Sequence, residues 1–224
     1  MIPFQSPLIK TIWRELYYRP RWYADSHAEL ERLFSWSEDP WNFQSSRYER
    51  DRLQALFHMV QRYPHDVILE VGCGEGAFTQ ELEKIAKHIV AIDVSPTALE
   101  RAKRRCQATT FVNVSIEDFE WDGRFDMVIC AETLYYISNV QVVLEKLKSL
   151  ARFGLVSYVQ RESRTLNPYV LQMPLIEFTQ YQKSYWFWKR VMTMALWESN
   201  GSTHKHRHLL NENLSLPLTG DPFA

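Results

Sequence analysis

Residues 67–78 read VILEVGCGEGAF: an apolar run, then glycines at 72, 74 and 76, then the start of a helical pattern. A strand that empties into side-chain-free positions and then a helix opens a βα unit, and its turn lets a ligand approach the backbone closely. Gly72, Gly74 and Ala77 satisfy the dinucleotide spacing G-x-G-x-x-G/A, whereas Glu70 and Gly76 depart from it. The glycines alone leave a pyrophosphate and another nucleoside-derived ligand both open.

Upstream, EDPWNF (38–43) reads as a turn, and Ser46 with Glu49 has the spacing of a capping box. Leu53, Leu56, Phe57 and Val60 then mark one buried helix face. Downstream, Phe78, Leu82 and Ile85 share a helical face, IVAID (89–93) is a second strand, and Ser95 with Pro96 forms a helix start with a cap and a proline at the first position. TFVNV (110–114), FDMVIC (125–130), a helix with Val140, Val143, Leu144 and Leu147 inward, and GLVSYV (154–159) continue the alternation. Near-continuous apolar strands alternating with helices predict a parallel sheet covered on both sides, an α/β doubly wound fold. LIEFTQY (175–181) and RVMTMALW (190–197) alternate more like half-exposed strands around Trp186–Trp188 and predict a terminal hairpin or antiparallel edge. The expected organisation is a helical cap or lid over 1–65, a ligand-binding domain over 66–198 and a flexible tail over 199–224.

With 224 residues, 46% of them apolar, the chain suits one domain with an appended lid. A net charge of −1 offers no general attraction to phosphate backbones or anionic lipid, so neither nucleic acid nor membrane is an expected partner. No apolar stretch approaches the ~20 residues of a membrane span and no signal peptide is evident, which predicts a cytoplasmic protein. Cys73, Cys106 and Cys130 have no metal-binding spacing and suit small buried positions. His204, His206 and His208 alternate in the expected tail without a rigid surround, so no metal is expected.

In a doubly wound sheet, ligands lie beyond the carboxyl ends of the strands, where residues 70–76, Asp93, 115–117 and 131–136 would converge. Asp93 ends the second strand 23 residues after Glu70, placed to accept both hydroxyls of a ribose. Nicotinamide dinucleotides and S-adenosylmethionine both carry one. Glu70 would sit awkwardly beside pyrophosphate but serves a cationic amino-acid moiety, directly or through water. Together with the shortened glycine spacing, the terminal hairpin and the polar and aromatic ICAETLYYI (129–137), it favours S-adenosylmethionine. The cofactor candidates are Glu70, Gly72, Gly74, Gly76, Asp93, Val94, Ser115, Ile116 and Ala131. Glu132 and Tyr135 are the candidates for catalysis, and Trp41 and Tyr136 for contact with substrate. Trp41, Phe43 and Tyr48 suit packing, or a lid that uses the same aromatic chemistry.

LEVGCGEGAFTQELEK (69–84), AIDVSPTALERAK (91–103) and FDMVICAETLYYI (125–137) resemble class I S-adenosylmethionine-dependent methyltransferases over residues 67 to about 160. With DPW (39–41) and the later YE (48–49), residues 39–137 resemble more narrowly the nodulation protein S family. The broader resemblance implies a Rossmann-like sheet of seven strands, mostly parallel with an antiparallel last strand. The narrower one implies N-methylation of a free amine on an oligosaccharide. Many class I members carry an aspartate where this chain has Ser115; its hydroxyl can still accept from the adenine amino group, and Glu117 or Asp118 are alternatives. O-methylation of a small metabolite and a non-catalytic cofactor-binding module remain the other readings, and the acceptor is expected to be a small molecule or oligosaccharide.

Overall fold

The computed structural model describes residues 26–185 and 188–199. Two helices lead into the sheet: α1 (Ser26–Trp36) and α2 (Arg47–Val60). Between them Asp39 and Asn42 adopt positive φ, 49° and 63°. The Asp39 carboxylate accepts the Phe43 and Gln44 N–H groups at 2.7 and 2.9 Å, which makes the expected turn. Only half of the expected capping box forms. Ser46 Oγ accepts the Glu49 N–H at 3.3 Å, but the Ser46 N–H goes to the Asn42 carbonyl at 2.8 Å, and the Glu49 side chain turns inward to Arg52.

The sheet holds β1 (Val67–Val71), β2 (His88–Asp93), β3 (Thr109–Asn113), β4 (Phe125–Ala131), β5 (Ala151–Val159), β6 (Leu175–Tyr185) and β7 (Trp188–Glu198). Its order is β3-β2-β1-β4-β5-β7-β6. The strands β1 to β5 pair in parallel, and β7 runs antiparallel to both neighbours. The connecting helices are α3 (Thr79–Leu82), α4 (Pro96–Arg105), α5 (Val140–Leu150) and α6 (Ser163–Val170). Ser95 caps α4 as expected, its Oγ accepting the Ala98 N–H at 3.0 Å. The chain order reverses between β1 and β4, which places the ligand crevice beside the glycine turn.

The hairpin is present, but β7 is not a half-exposed edge. Val191 to Trp197 are all buried, because β7 inserts between β5 and β6 and both its faces meet core. The edge role falls to β6, which carries a bulge between Leu175 and Glu177. Trp197 lies so close over Gly154 that any side chain there would overlap its ring, so Gly154 is the space the indole needs. Two apolar layers flank the sheet, one centred on Val128, Leu144 and Trp197, the other joining α2 through Leu56 and Val60 to Ile68, Met127 and Leu155.

Before the sheet, α1 is tied to α4. Its Glu31 carboxylate accepts the Ser95 and Thr97 hydroxyls, Phe34 is buried, and Arg101 Nη1 donates to the Ser37 carbonyl at 2.9 Å. Trp186, Phe187 and His204 to His208 lie outside the described residues. Among the described residues no helix is long and apolar enough to cross a membrane, and no cluster of His, Cys, Asp or Glu is arranged to hold a metal ion.

Candidate active site

A cavity of about 620 Å³ opens at the carboxyl ends of β1, β2 and β4, bounded on the far side by α1, α2 and the start of β7. It has two ends of different construction.

At the first end the backbone is exposed to the cavity. Gly72 and Gly74 take φ of 74° and 52°, conformations open to glycine at no steric cost. A side chain at Gly72 would overlap Thr133. The Gly72 and Cys73 N–H groups donate to the Ile92 carbonyl at 2.8 and 3.1 Å, which locks the turn to β2. Asp93 accepts the Gly74 N–H at 2.8 Å on one carboxylate oxygen and the Ser95 N–H at 2.9 Å on the other. The Val94 N–H adds a third backbone donor to this carboxylate. Burial raises the Asp93 pKa, and the N–H donors oppose that rise. Gly76 is elsewhere. It does not line the cavity; its missing side chain lets the turn close on Ala102 and Cys106, within 3.1 Å of where a Cβ would be, so it serves packing against α4.

Glu70 is 3% exposed and accepts the Thr79 hydroxyl at 2.6 Å. Burial pushes its carboxyl up to about 8, with the nearby Asp93 adding to the rise and the Thr79 hydrogen bond opposing it. Val94, Ser115, Ile116 and Ala131 all line the cavity. Ser115 is already engaged: its hydroxyl donates to Asp118 at 2.8 Å and accepts the Asp118 N–H at 3.1 Å. Asp118 thus holds Ser115 in place, while Glu117 borders the cavity itself.

These residues fit S-adenosylmethionine better than a pyrophosphate. The glycine turn faces two buried carboxyl groups, Glu70 and Asp93, and among the described residues neither has a salt bridge to a basic side chain. A sulfonium and an ammonium would be complemented there, and a diphosphate repelled.

At the second end side chains dominate. Glu132, just past β4, is a non-glycine residue at φ 56°, a strained conformation costing about 1–3 kcal/mol that clusters at functional sites. Its N–H donates to the Ser157 carbonyl at 2.9 Å, and its carboxylate accepts Tyr135 OH at 3.0 Å and Ser157 Oγ at 3.2 Å. Burial raises its pKa, while the Arg52 charge and these hydrogen bonds oppose the rise. Tyr135 and Tyr136 both border the cavity, their ring centroids 4.7 Å apart, whereas Trp41, Phe43 and Tyr48 form its N-terminal wall.

Three residues here escape the sequence reading. Glu49 and Arg52 are buried and joined at 2.8 Å, and Arg190 Nη1 stands 3.9 Å from Glu49. A signal was available: Glu49 and Arg52 continue the buried face of Leu53, Leu56 and Val60, where charges are out of place unless paired.

The model of the nodulation protein S family matches residues 23–157, more than half of the chain. The chain belongs to the nodulation protein S family. Relatives within it include nodulation protein S of Sinorhizobium fredii, 32% identical over 121 residues, covering 52% of this chain and 54% of the relative. That of Bradyrhizobium diazoefficiens is 33% identical over 120 residues, covering 52% and 57%. The chain thus spans little more than half the length of these relatives. A ubiquinone biosynthesis O-methyltransferase of Rickettsia felis is 26% identical over 163 residues, 67% of each chain. The fold is that of S-adenosylmethionine-dependent methyltransferases. The crystal structure of N-methyltransferase NodS from Bradyrhizobium japonicum with S-adenosylhomocysteine superposes with a TM-score of 0.65 at 22% identity, covering 76% of this chain and 97% of that one. Magnesium protoporphyrin IX methyltransferase from Synechocystis with bound S-adenosylmethionine gives 0.56 at 17% identity, covering 84% and 97%.

Proposed function

We propose that the protein is a methyltransferase that carries the methyl group of S-adenosylmethionine to a small polar amine, an amino sugar above all. The observation that carries this reading is Glu132: a partly buried, strained, hydrogen-bonded carboxylate on the cavity wall just past β4, in a chain of the nodulation protein S family. S-adenosylmethionine supplies an activated methyl on a positively charged sulfur. Gly72, Gly74 and Asp93 hold its nucleoside part, and Glu70 faces its amino-acid part. Val94, Ile116 and Ala131 give the apolar surround, with Ser115 at the adenine edge. The carboxylate of Glu132 takes the acceptor's proton, so that a neutral nitrogen makes the new N–C bond while the old S–C bond leaves its electron pair on sulfur. Tyr135 aims that carboxylate, and Trp41 and Tyr136 border the acceptor. With α1 tied over α4 and α2 lining the acceptor end, the N-terminal helices close the cavity, which aligns the reactants and excludes water.

The test is incubation with isotopically labelled S-adenosylmethionine and a chitotetraose bearing one free amine, with the fully N-acetylated oligomer and a catechol alongside, followed by mass analysis. Label only in the free-amine oligomer is the expected result. Label only in the catechol would replace the amine reading with O-methyl transfer, which the O-methyltransferase likeness supports. S-adenosylhomocysteine binding without transfer to any acceptor in a wide panel would favour a non-catalytic module.

A further inference from the structure

Two buried charged groups, Glu49 and Arg52, meet the partly buried Glu132 on the cavity wall. Arg52 Nε donates to Glu49 Oε2 at 2.8 Å, while its Nη1 points towards Glu132 Oε1 at 4.0 Å and has no hydrogen-bond acceptor among the described residues. The side chains of Glu49, Arg52 and Glu132 are 9%, 6% and 14% exposed, so water screens them little. Among the described residues, the other charged or titratable groups around Glu132 include Tyr48 on α2, Cys130 on β4, Tyr135 and Tyr136 in the turn after β4, and Arg190 on β7, whose guanidinium lies beside Glu49. Ser157 on β5 completes the surround with an uncharged donor.

One guanidinium therefore serves two carboxylates unequally. It is bonded to Glu49, which lies outside the expected catalytic set, and it stays beyond hydrogen-bond distance of the carboxylate placed to meet the acceptor. Were Arg52 to close on Glu132, it would fix that group as an anion with little affinity for a proton. Were it absent, Glu132 would lose the cation that opposes the effect of burial and would hold its proton more tightly. We propose that Arg52 is a positioning residue shared between Glu49 and Glu132, and that Glu49, by holding the guanidinium back, leaves Glu132 able to exchange a proton with the acceptor. The inference rests on the reading of Glu132 as the acceptor's base and adds the two α2 residues that tune it.

Its signature is a pair of shifts of opposite sign. Arg52→Gln removes the cation and should raise the titration midpoint of Glu132. Glu49→Gln frees Arg52, and Arg190 with it, and should lower that midpoint, each by about one unit or more. Both are read on the full chain by carbon-13 NMR of labelled glutamate carboxyls, with Glu132→Gln identifying the resonance. Arg52→Lys should bring the midpoint back towards the wild-type value. If Arg52→Gln does not fold, Glu49→Gln alone decides: a lowered midpoint supports the inference, and an unmoved or raised one overturns it. Shifts of the same sign, or none, in the two variants would reduce Glu49 and Arg52 to a packing pair. The parent reading fails differently: Glu132→Gln with full turnover would remove Glu132 from the chemistry without altering either NMR shift.

Discussion

At the end of the cavity bounded by Gly72 and Asp93, the wall includes the backbone of a turn held by its own hydrogen bonds; at the end bounded by Glu49, Arg52 and Glu132 it is side chains from separate elements. The first end is a local device, a turn after β1 with Glu70 and Asp93 from two adjacent strands. The second depends on α2, the end of β4 and β7 meeting correctly. The two ends should therefore respond separately to mutation.

The largest effect is expected at the backbone end. In Gly72→Ala, strain of about 1–3 kcal/mol at positive φ adds to overlap with Thr133, and both thermal stability and S-adenosylhomocysteine affinity should collapse. Wild-type affinity in that variant would show that the turn is not the ligand cradle. Asp93→Ala leaves the Gly74 and Ser95 N–H groups without their acceptor and should weaken S-adenosylhomocysteine by about 1–3 kcal/mol, measured by calorimetry.

Glu70 sharpens the comparison through pH. Its folded carboxyl, pushed up to about 8, lies above the ordinary carboxyl value of about 4.5, so its contribution to stability is fully present below about 4.5 and is lost as pH rises through 8. Glu70→Gln should remove that decline from a series of denaturant titrations at increasing pH. The same titration implies that S-adenosylhomocysteine binding near pH 7 releases a proton as its ammonium approaches, visible as a buffer-dependent heat that the variant lacks. The smallest effect is assigned to Glu31. Its pKa is lowered by its Ser95 and Thr97 hydrogen bonds against the opposing cost of burial, so its clasp on α4 should weaken only as pH falls through the carboxylate range. Glu31→Ala should cost more in cofactor affinity than in melting temperature; equal losses would make α1 a packing helix alone.

The same contrast explains what the sequence discloses. The glycine turn, Asp93, the Ser95 cap with Pro96 and the alternation of β1 to β5 are written in short stretches, where periodicity and turn chemistry act over a few residues. The strand β7 misleads because its Thr193 and Arg190 interrupt the apolar run and mimic an exposed face, whereas insertion between β5 and β6 buries Thr193 as well. Gly76 misleads in the opposite way: it shares the spacing of a cradle, yet its φ of 75° and its contact with Ala102 serve helix packing. Glu49 had a local role available as the second half of a capping box, and only the tertiary approach of Arg52, Glu132 and Arg190 reveals the other. Pairings across 80 or more residues, such as Arg52 with Glu132, have no local signature.

The separation of the two ends is tested most directly by Glu132→Gln, assayed for turnover on the amine acceptor and for S-adenosylhomocysteine affinity in the same preparation. Turnover should fall on the order of 10²-fold, as for loss of a general base, while affinity stays at the wild-type value. A variant that keeps full turnover, or that loses cofactor affinity along with it, would contradict the account.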